Sequence, residues 1–412
     1  MKKISQKLFL IITILVLFGT MTTTLLATPT PDQTLGQGFD QKIMMLMRLA
    51  GFRSLSACVI TDDHIVWYKG YGYYDVSKEK QPNLHTIYIL ASITKTVAGT
   101  ALMQLYEQGL FSLDDDVNQY LPFELRNPNF PQDPITIRML LSHTSSLNTN
   151  TQNQYYWGNF SGDPPFAFFP EPYLREFLLP GGRFYDDTIW STQYPPGEHA
   201  MYANVGFDLI SYLVDLISGE PFLDYCDTHI FHPLQMYNTS FNLSRLNLEQ
   251  VAVPYQRYAG RYYLLNDLDF LMGKQTPPDL YWRPRFYPAG GLYSSVSDLS
   301  HFLIAHMNDG VYNGTRILQK ETIDLMHQIA PDNTIGYGLA WMQTQITRRL
   351  TATGHAGDLA GTDTWMLFNQ TQQKGIIYLA NGNPSGGFLP FQGSLIVHYL
   401  LYSLFTKQII NG

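Results

Sequence analysis

The sequence predicts an α+β fold: an antiparallel sheet flanked by helices, built from both chain ends, with an inserted, mainly helical region between them. Three observations predict it. Two strand-like runs, Leu55–Ile60 and Ile65–Tyr71, form a hairpin around Asp62-Asp63-His64 near the start of the chain. Further strand-like runs come late, at Tyr337–Gln343, Asp363–Phe368 and Gly375–Ala380. From about 113 to 285, short helical patterns alternate with loops rich in Pro, Asn and Tyr. The expected division is therefore residues 38–112 and 286–412 for the sheet part and 113–285 for the insertion. An active cleft would lie between the two parts.

The elements follow in order. Lys2, Lys3 and Lys7 precede the apolar run Leu8–Phe18, and a small polar stretch ends at Ala27. That is the layout of a secretory signal peptide over residues 1–27. The alternative is an uncleaved membrane anchor across Leu8–Leu26, just long enough to span. Either way the protein is expected to be exported, periplasmic or secreted. Ile43, Leu46, Met47 and Leu49 give Phe39–Ala50 helical spacing, and Gly51 stops the helix. A helix carrying Ser92 runs on to Gly109. Ser112-Leu113-Asp114-Asp115 reads as a helix cap, a serine with a carboxylate three residues on. Ile137–Leu141 and Val205–Ile217 are the clearest helices of the insertion, the second closed by Gly219 and Pro221. Asn148–Pro196 is polar, aromatic and too long for a plain connection. Ser295–Met307, with Asp298 completing its cap, Thr322–Ile329 and Ser394–Phe405 are the late helices.

Composition narrows the function. The 412 residues are 45% hydrophobic and 15% charged, which excludes a disordered chain. A net charge of −8 without a basic patch excludes nucleic acid as a partner. Cys58 and Cys226 sit in apolar segments assigned to different parts of the chain, so free buried thiols are expected. His301 and His306 are five apart on one helix, off the four-residue spacing that sets two ligands on a face. No metal or cofactor is expected. Gly70–Gly72 and Gly386-Gly387 lack the strand–loop–helix context of a nucleotide site.

Three short patterns carry chemistry. In Ser92-Ile93-Thr94-Lys95, the i, i+3 spacing on a helix puts an amine beside a hydroxyl. A hydroxyl with a proton acceptor in reach is an acyl-transfer nucleophile, and a helix's first turn offers N–H groups to an oxyanion. Ser77-Lys78-Glu79-Lys80 matches the same pattern but lies in a charged, turn-like segment. In Tyr202-Ala203-Asn204, a tyrosine beside an ammonium can be held as phenolate or relay a proton. Asn204 can bond a substrate amide or hold Lys95, or it can simply cap the helix that follows. In Gly354-His355-Ala356-Gly357-Asp358, glycine lets a ligand approach the backbone at a strand-like edge, and the imidazole can supply a proton.

Taken together, these patterns resemble the serine beta-lactamases and penicillin-binding hydrolases. The resemblance is nearest to the branch shared by class C beta-lactamases, D-alanyl-D-alanine carboxypeptidases and related esterases. It covers residues 38–405 and includes Leu141-Ser142-His143-Thr144-Ser145, Pro196-Gly197-Glu198, Pro233-Leu234-Gln235-Met236 and Pro288-Ala289-Gly290-Gly291-Leu292-Tyr293-Ser294-Ser295 in the family's order. It implies a beta-lactamase/transpeptidase-like fold and assigns roles. Ser92 would be acylated, and Lys95 and Tyr202 would move its proton. Asn204 would bind a substrate amide. His355 and Gly357 would line the substrate wall, and the N–H groups of Ser92 and Asp358 would hold the oxyanion. The third motif starts with histidine, not the lysine usual in true class C lactamases, and Ala356 removes a hydroxyl often found in its middle. Asp358 adds a negative charge, and Ser146 stands where glycine usually follows. The expected function is an exported serine hydrolase acting through a Ser92 acyl-enzyme on D-amino-acid peptides or small esters. The alternatives are a true class C-like beta-lactamase acting on beta-lactam substrates, and a non-catalytic relative that binds peptidoglycan or another partner.

Overall fold

The computed structural model describes residues 37–148, 170–258, 261–264, 287–330, 333–347 and 350–384. The expected leader or anchor over 1–27, Gly386-Gly387, the helix expected over Ser394–Phe405 and part of the Asn148–Pro196 stretch lie outside the described residues.

Helix α1 (Gln37–Ala50) leads into the hairpin β1 (Ser54–Thr61) and β2 (His64–Gly72). A short β3 (Ile87–Ile89) precedes a 3₁₀ turn at Ala91–Ile93 and α2 (Thr94–Glu107). The middle of the chain supplies α3 (Ile137–Leu141), α4 (Pro170–Leu178), α5 (Asn204–Ser218), α6 (Phe222–Cys226) and the strands β4 (Tyr255–Tyr258) and β5 (Arg261–Leu264). Then come α7 (Tyr287–Gly290), β6 (Tyr293–Ser295), α8 (Val296–Met307), the small strands β7 (Val311–Tyr312) and β8 (Thr315–Arg316), and α9 (Lys320–His327). Four long strands follow: β9 (Met342–Thr347), β10 (Leu350–Leu359), β11 (Thr362–Asn369) and β12 (Lys374–Asn381). A last short strand, β13 (Asn383–Pro384), runs parallel to β4.

The main sheet has the order β2-β1-β12-β11-β10-β9, every pair antiparallel. β1 from the start of the chain pairs with β12 from its end, Cys58 standing opposite Ile377. The pleat sorts side chains onto two faces. Leu55, Ala57, Val59, Trp365, Leu367 and Tyr378 face out and pack with Phe39, Ile43, Leu46 and Met47 of α1. Cys58, Met366, Phe368, Ile377 and Leu379 face in, where they join α2, α5 and α8 in one continuous core. The two cysteines are free and buried, and burial raises both thiols above their ordinary range. No helix among the described residues is long and apolar enough to cross a membrane.

Several expectations change. Ser92 lies in the 3₁₀ turn, and the α-helix starts two residues later. Ser112–Asp115 is a turn in which Ser112 N–H donates to the Asp115 carboxylate at 2.8 Å, with no α-helix after it. The strand expected from Tyr337 begins at Met342; Ala340, at φ +68°, belongs to the bend before it. The helix expected at Thr322–Ile329 is shifted to Lys320–His327. β10 carries the whole His355 segment but lacks apolar alternation, so it reads only as an edge. α4 lies inside the long Asn148–Pro196 stretch.

One side chain ties both chain ends to the middle. Asn381 Oδ1 accepts from Ser54 N–H at 2.8 Å and from Ser54 Oγ at 2.6 Å. Its amide donates to Tyr74 O at 3.1 Å and Val253 O at 2.7 Å. A buried amide with all its capacity used is costly to alter. Asn381→Asp puts an acceptor against two carbonyls and is expected to lower stability by about 3 kcal/mol in urea unfolding at neutral pH. A loss under about 1 kcal/mol would show that the tie is dispensable.

Candidate active site

The site starts from a strained turn. Ala91 adopts φ +49°, a conformation that costs a non-glycine residue about 1–2 kcal/mol. The chain thereby reverses after β3 and presents the half-buried Ser92 at the head of α2. Lys95, one turn on, is wholly buried. Its Nζ lies 3.1 Å from Ser92 Oγ and donates to Ala289 O of α7 at 2.5 Å. Burial lowers the Lys95 pKa to about 7, against an upward pull from the buried Asp208 carboxylate of α5. An amine in this state can take a proton near neutral pH.

Tyr202 closes the other side, its hydroxyl donating to Ser92 Oγ at 2.8 Å. Burial raises the phenol above its ordinary value, and the Ser92 contact only partly offsets this. Of the two roles open to Tyr202, the geometry favours a neutral proton relay over a resting phenolate. Asn204 is not the helix cap: Ala203 holds the N-cap position of α5, and Asn204 opens the first turn, one turn ahead of Asp208.

His143 went unassigned at the sequence level, although its tag was visible. Thr136 caps α3, accepting from Met139 N–H at 3.3 Å, and the chain turns at His143 with φ +60°. The imidazole then lies under Tyr202, with ring centroids 4.4 Å apart, and its Nδ1 accepts from Ala203 N–H at 3.0 Å. Burial first, then Lys95 and His355, keep it neutral. Ser146 also has a left-handed φ of +60°, the conformation that glycine adopts most easily. Its Oγ accepts from Asn127 at 3.0 Å, a structural contact away from the nucleophile.

The third wall is β10. β9 pairs with it only as far as Gly354 opposite Met342, which leaves His355–Leu359 with β11 on one side. His355 is buried and both its nitrogens are engaged. Nδ1 donates to Ala356 O at 2.6 Å, and Nε2 accepts from Tyr337 OH at 3.1 Å. Burial, then the nearby Lys95, lower its pKa to about 3. The structure therefore places His355 behind the wall as a neutral support, held by Tyr337. No sequence signal pointed to Tyr337 beyond its flanking glycines. At Gly357 a Cβ would stand 2.2 Å from Leu90 O and 3.0 Å from Ala91 Cβ, so β10 lies directly against the nucleophile turn.

The expected effect of the Asp358 side chain needs correction. Gly357 faces the nucleophile turn, so the pleat sends its neighbour to the other face. There Asp358 stands opposite Asp363, whose carboxylate accepts from Tyr378 OH at 3.4 Å in the outer layer. The Asp358 charge is turned away from Ser92. The rival serine motif is also separate: Ser77 Oγ donates to Asp75 at 2.7 Å, and Lys78 and Lys80 both pair with Glu249.

A strained serine turn, a buried amine, a phenol and a backbone wall meet at one sheet edge of a beta-lactamase/transpeptidase-like α+β fold. The Beta-lactamase family model matches residues 39–400, and the chain belongs to that family. Protein flp of Staphylococcus aureus strain MW2 is 26% identical over 333 residues, covering 80% of this chain and 59% of that protein. Penicillin-binding protein 4* of Bacillus subtilis strain 168 is 25% identical over 328 residues, 77% of this chain and 65% of its own length. The match therefore spans roughly three-fifths of the length of such relatives. Among solved structures, the D-amino acid amidase of Ochrobactrum anthropi SV3 with D-phenylalanine has a TM-score of 0.68 at 20% identity, covering 90% of this chain and 99% of that one. The octameric penicillin-binding protein homologue of Pyrococcus abyssi has 0.65 at 24% identity, covering 89% and 77%. At this identity the likeness to both structures is one of fold.

The Lys95 environment fixes a pH dependence. Below pH 7 its ammonium cannot accept the Ser92 proton, so kcat/KM should rise through an acid limb near 7. Asp208→Asn removes the charge that favours the ammonium, so the limb should move to lower pH. A limb that stays in place in the variant would detach Asp208 from Lys95.

Proposed function

We propose that this protein is an exported serine hydrolase that forms an acyl-enzyme at Ser92 on D-amino-acid peptides, amides or small esters. The observation that carries the reading is the convergence on Ser92 Oγ of Lys95 Nζ at 3.1 Å and Tyr202 OH at 2.8 Å. The Lys95 amine takes the Ser92 proton as Oγ bonds to the acyl carbon. The carbonyl electrons move to an oxyanion held by the N–H groups of Ser92 and Asp358. Collapse breaks the bond to the leaving amine or alcohol, which takes a proton from Tyr202, and the Lys95 ammonium returns a proton to Tyr202. Water then attacks the ester with the same groups in reverse order.

The wall supports the substrate class. A neutral His355 with both nitrogens engaged gives no fixed cation to a substrate carboxylate, as the lysine of a class C-like beta-lactamase would. Neutral amides and esters fit such a wall better than anionic lactams. The fold is shared with a D-amino acid amidase, which is compatible with that substrate class. Export is supported by the lysine-led apolar run Leu8–Phe18, and cell fractionation checks it.

The test is a substrate panel on wild type and Ser92→Ala: D-amino-acid amides, a D-Ala-D-Ala peptide, nitrophenyl esters and nitrocefin. Wild type should turn over amides or esters in preference to nitrocefin. Ser92→Ala should lose about 10⁴-fold or more in kcat and all labelling by a fluorophosphonate. Undiminished labelling of the variant would remove Ser92 from the mechanism. Nitrocefin as the fastest substrate would replace the esterase and peptidase reading with a beta-lactamase.

A further inference from the structure

We propose that Thr364 is a positioning residue for acyl transfer, its hydroxyl fixing the two backbone segments that carry the oxyanion donors; the inference rests on the reading of Ser92 above. Thr364 has no exposed surface and sits on the inner face of β11, opposite Gly357. Met366 and Phe368, next along that face, are apolar core residues. A hydroxyl at this position is therefore a departure from what packing asks for. Its Oγ1 donates to Leu90 O at 2.7 Å, and Gly357 O lies 3.3 Å away.

Both acceptors are telling. Leu90 is the last residue before the left-handed Ala91, and its own turn gives its carbonyl only a long contact, from Ile93 N–H at 3.4 Å. Thr364 supplies the short hydrogen bond that holds this strained turn, and with it the direction of the Ser92 N–H. Gly357 O belongs to the peptide unit that carries the Asp358 N–H. In a trans peptide the carbonyl and the N–H point opposite ways. A Gly357 carbonyl turned toward Thr364 on β11 therefore turns the Asp358 N–H toward the edge of β10 that faces away from β11. The fit is tight: a Cβ on Gly357 would lie 2.3 Å from Thr364 Oγ1 as well as 2.2 Å from Leu90 O. One hydroxyl thus sets both donors, and a 1 Å error in such positions can cost about 100-fold.

The test compares Thr364→Val, which keeps the shape, with Thr364→Ser, which keeps the hydroxyl, on a nitrophenyl ester and its thiono analogue. Thr364→Val is expected to lose about 10- to 100-fold in kcat with KM within about threefold, and to discriminate less between the ester and the thiono ester. Thr364→Ser should stay within about threefold of wild type. Unfolding midpoints show whether Thr364→Val folds, and Thr364→Ala carries the test if it does not. A wild-type kcat without the hydroxyl, or a serine variant as slow as the valine variant, would overturn the proposal. Ser92→Ala run alongside separates the two failures: turnover surviving there refutes the nucleophile itself, whereas a dead Ser92→Ala beside a normal Thr364→Val refutes only Thr364.

Discussion

The structure depends on an amine held out of water. Lys95 has no exposed surface, and an ammonium buried in this way loses its hydration unless something replaces it. What replaces it here is modest: one carbonyl, Ala289 O, one hydroxyl, Ser92, and the faces of Tyr202 and Phe207 at 5.0 and 5.7 Å. Desolvation wins over the Asp208 attraction, so the amine becomes accessible near neutral pH. The same burial spreads to the neighbours. His143 and His355 both titrate well below their ordinary range, partly because a second cation beside Lys95 is unfavourable. Tyr202 and Tyr337 resist ionising for the complementary reason. The interior can therefore hand a proton along Ser92, Lys95 and Tyr202 while the surrounding rings stay neutral and fixed.

That arrangement is held from opposite ends of the chain. Ser92 and Lys95 follow the first hairpin, Tyr202 and Asp208 come from the middle, and the wall of β10 comes from the late strands. The pairing of β1 with β12 joins the early and late strands, and Asn381, linking Ser54, Tyr74 and Val253, holds that joint far from Ser92. The strain at Ala91 is affordable on such a frame, because packed strands on either side leave the turn no relaxed alternative.

The sequence made the strongest local signals legible. α5 has a clear apolar period and ends at Gly219 with φ +76°, and the first hairpin alternates around a turn at Asp62 with φ +55°. The Ser92–Lys95 pair is legible because i, i+3 on a helix is a local spacing, whereas Tyr202 lies 110 residues away and is tied to the pair only through the family resemblance. The rest was set by tertiary contacts that spacing does not encode. β10 is polar and glycine-containing because a nucleophile turn lies against it, and that removes the alternation by which strands are read. Tyr337 acts through a bend whose shape depends on α9 and β9. His143 was visible as part of a tag, yet its use as a neutral plate under Tyr202 follows from the turn after α3. Thr364 sits in a strand that reads as ordinary core.

The Asp358 position shows why residue type alone misleads at a strand edge. By composition it adds a negative charge beside the nucleophile. By the pleat its side chain falls on the outer face, opposite Asp363. On the inner side His355 adds no charge, because it is buried with both nitrogens engaged. A substrate at Ser92 therefore meets backbone amides and a neutral wall, and its charge must be read by other parts of the cleft. On the proposed reading Ser92, Lys95 and Tyr202 take the acyl group, and the pleat keeps the side chain of the one acidic residue of the third motif away from them.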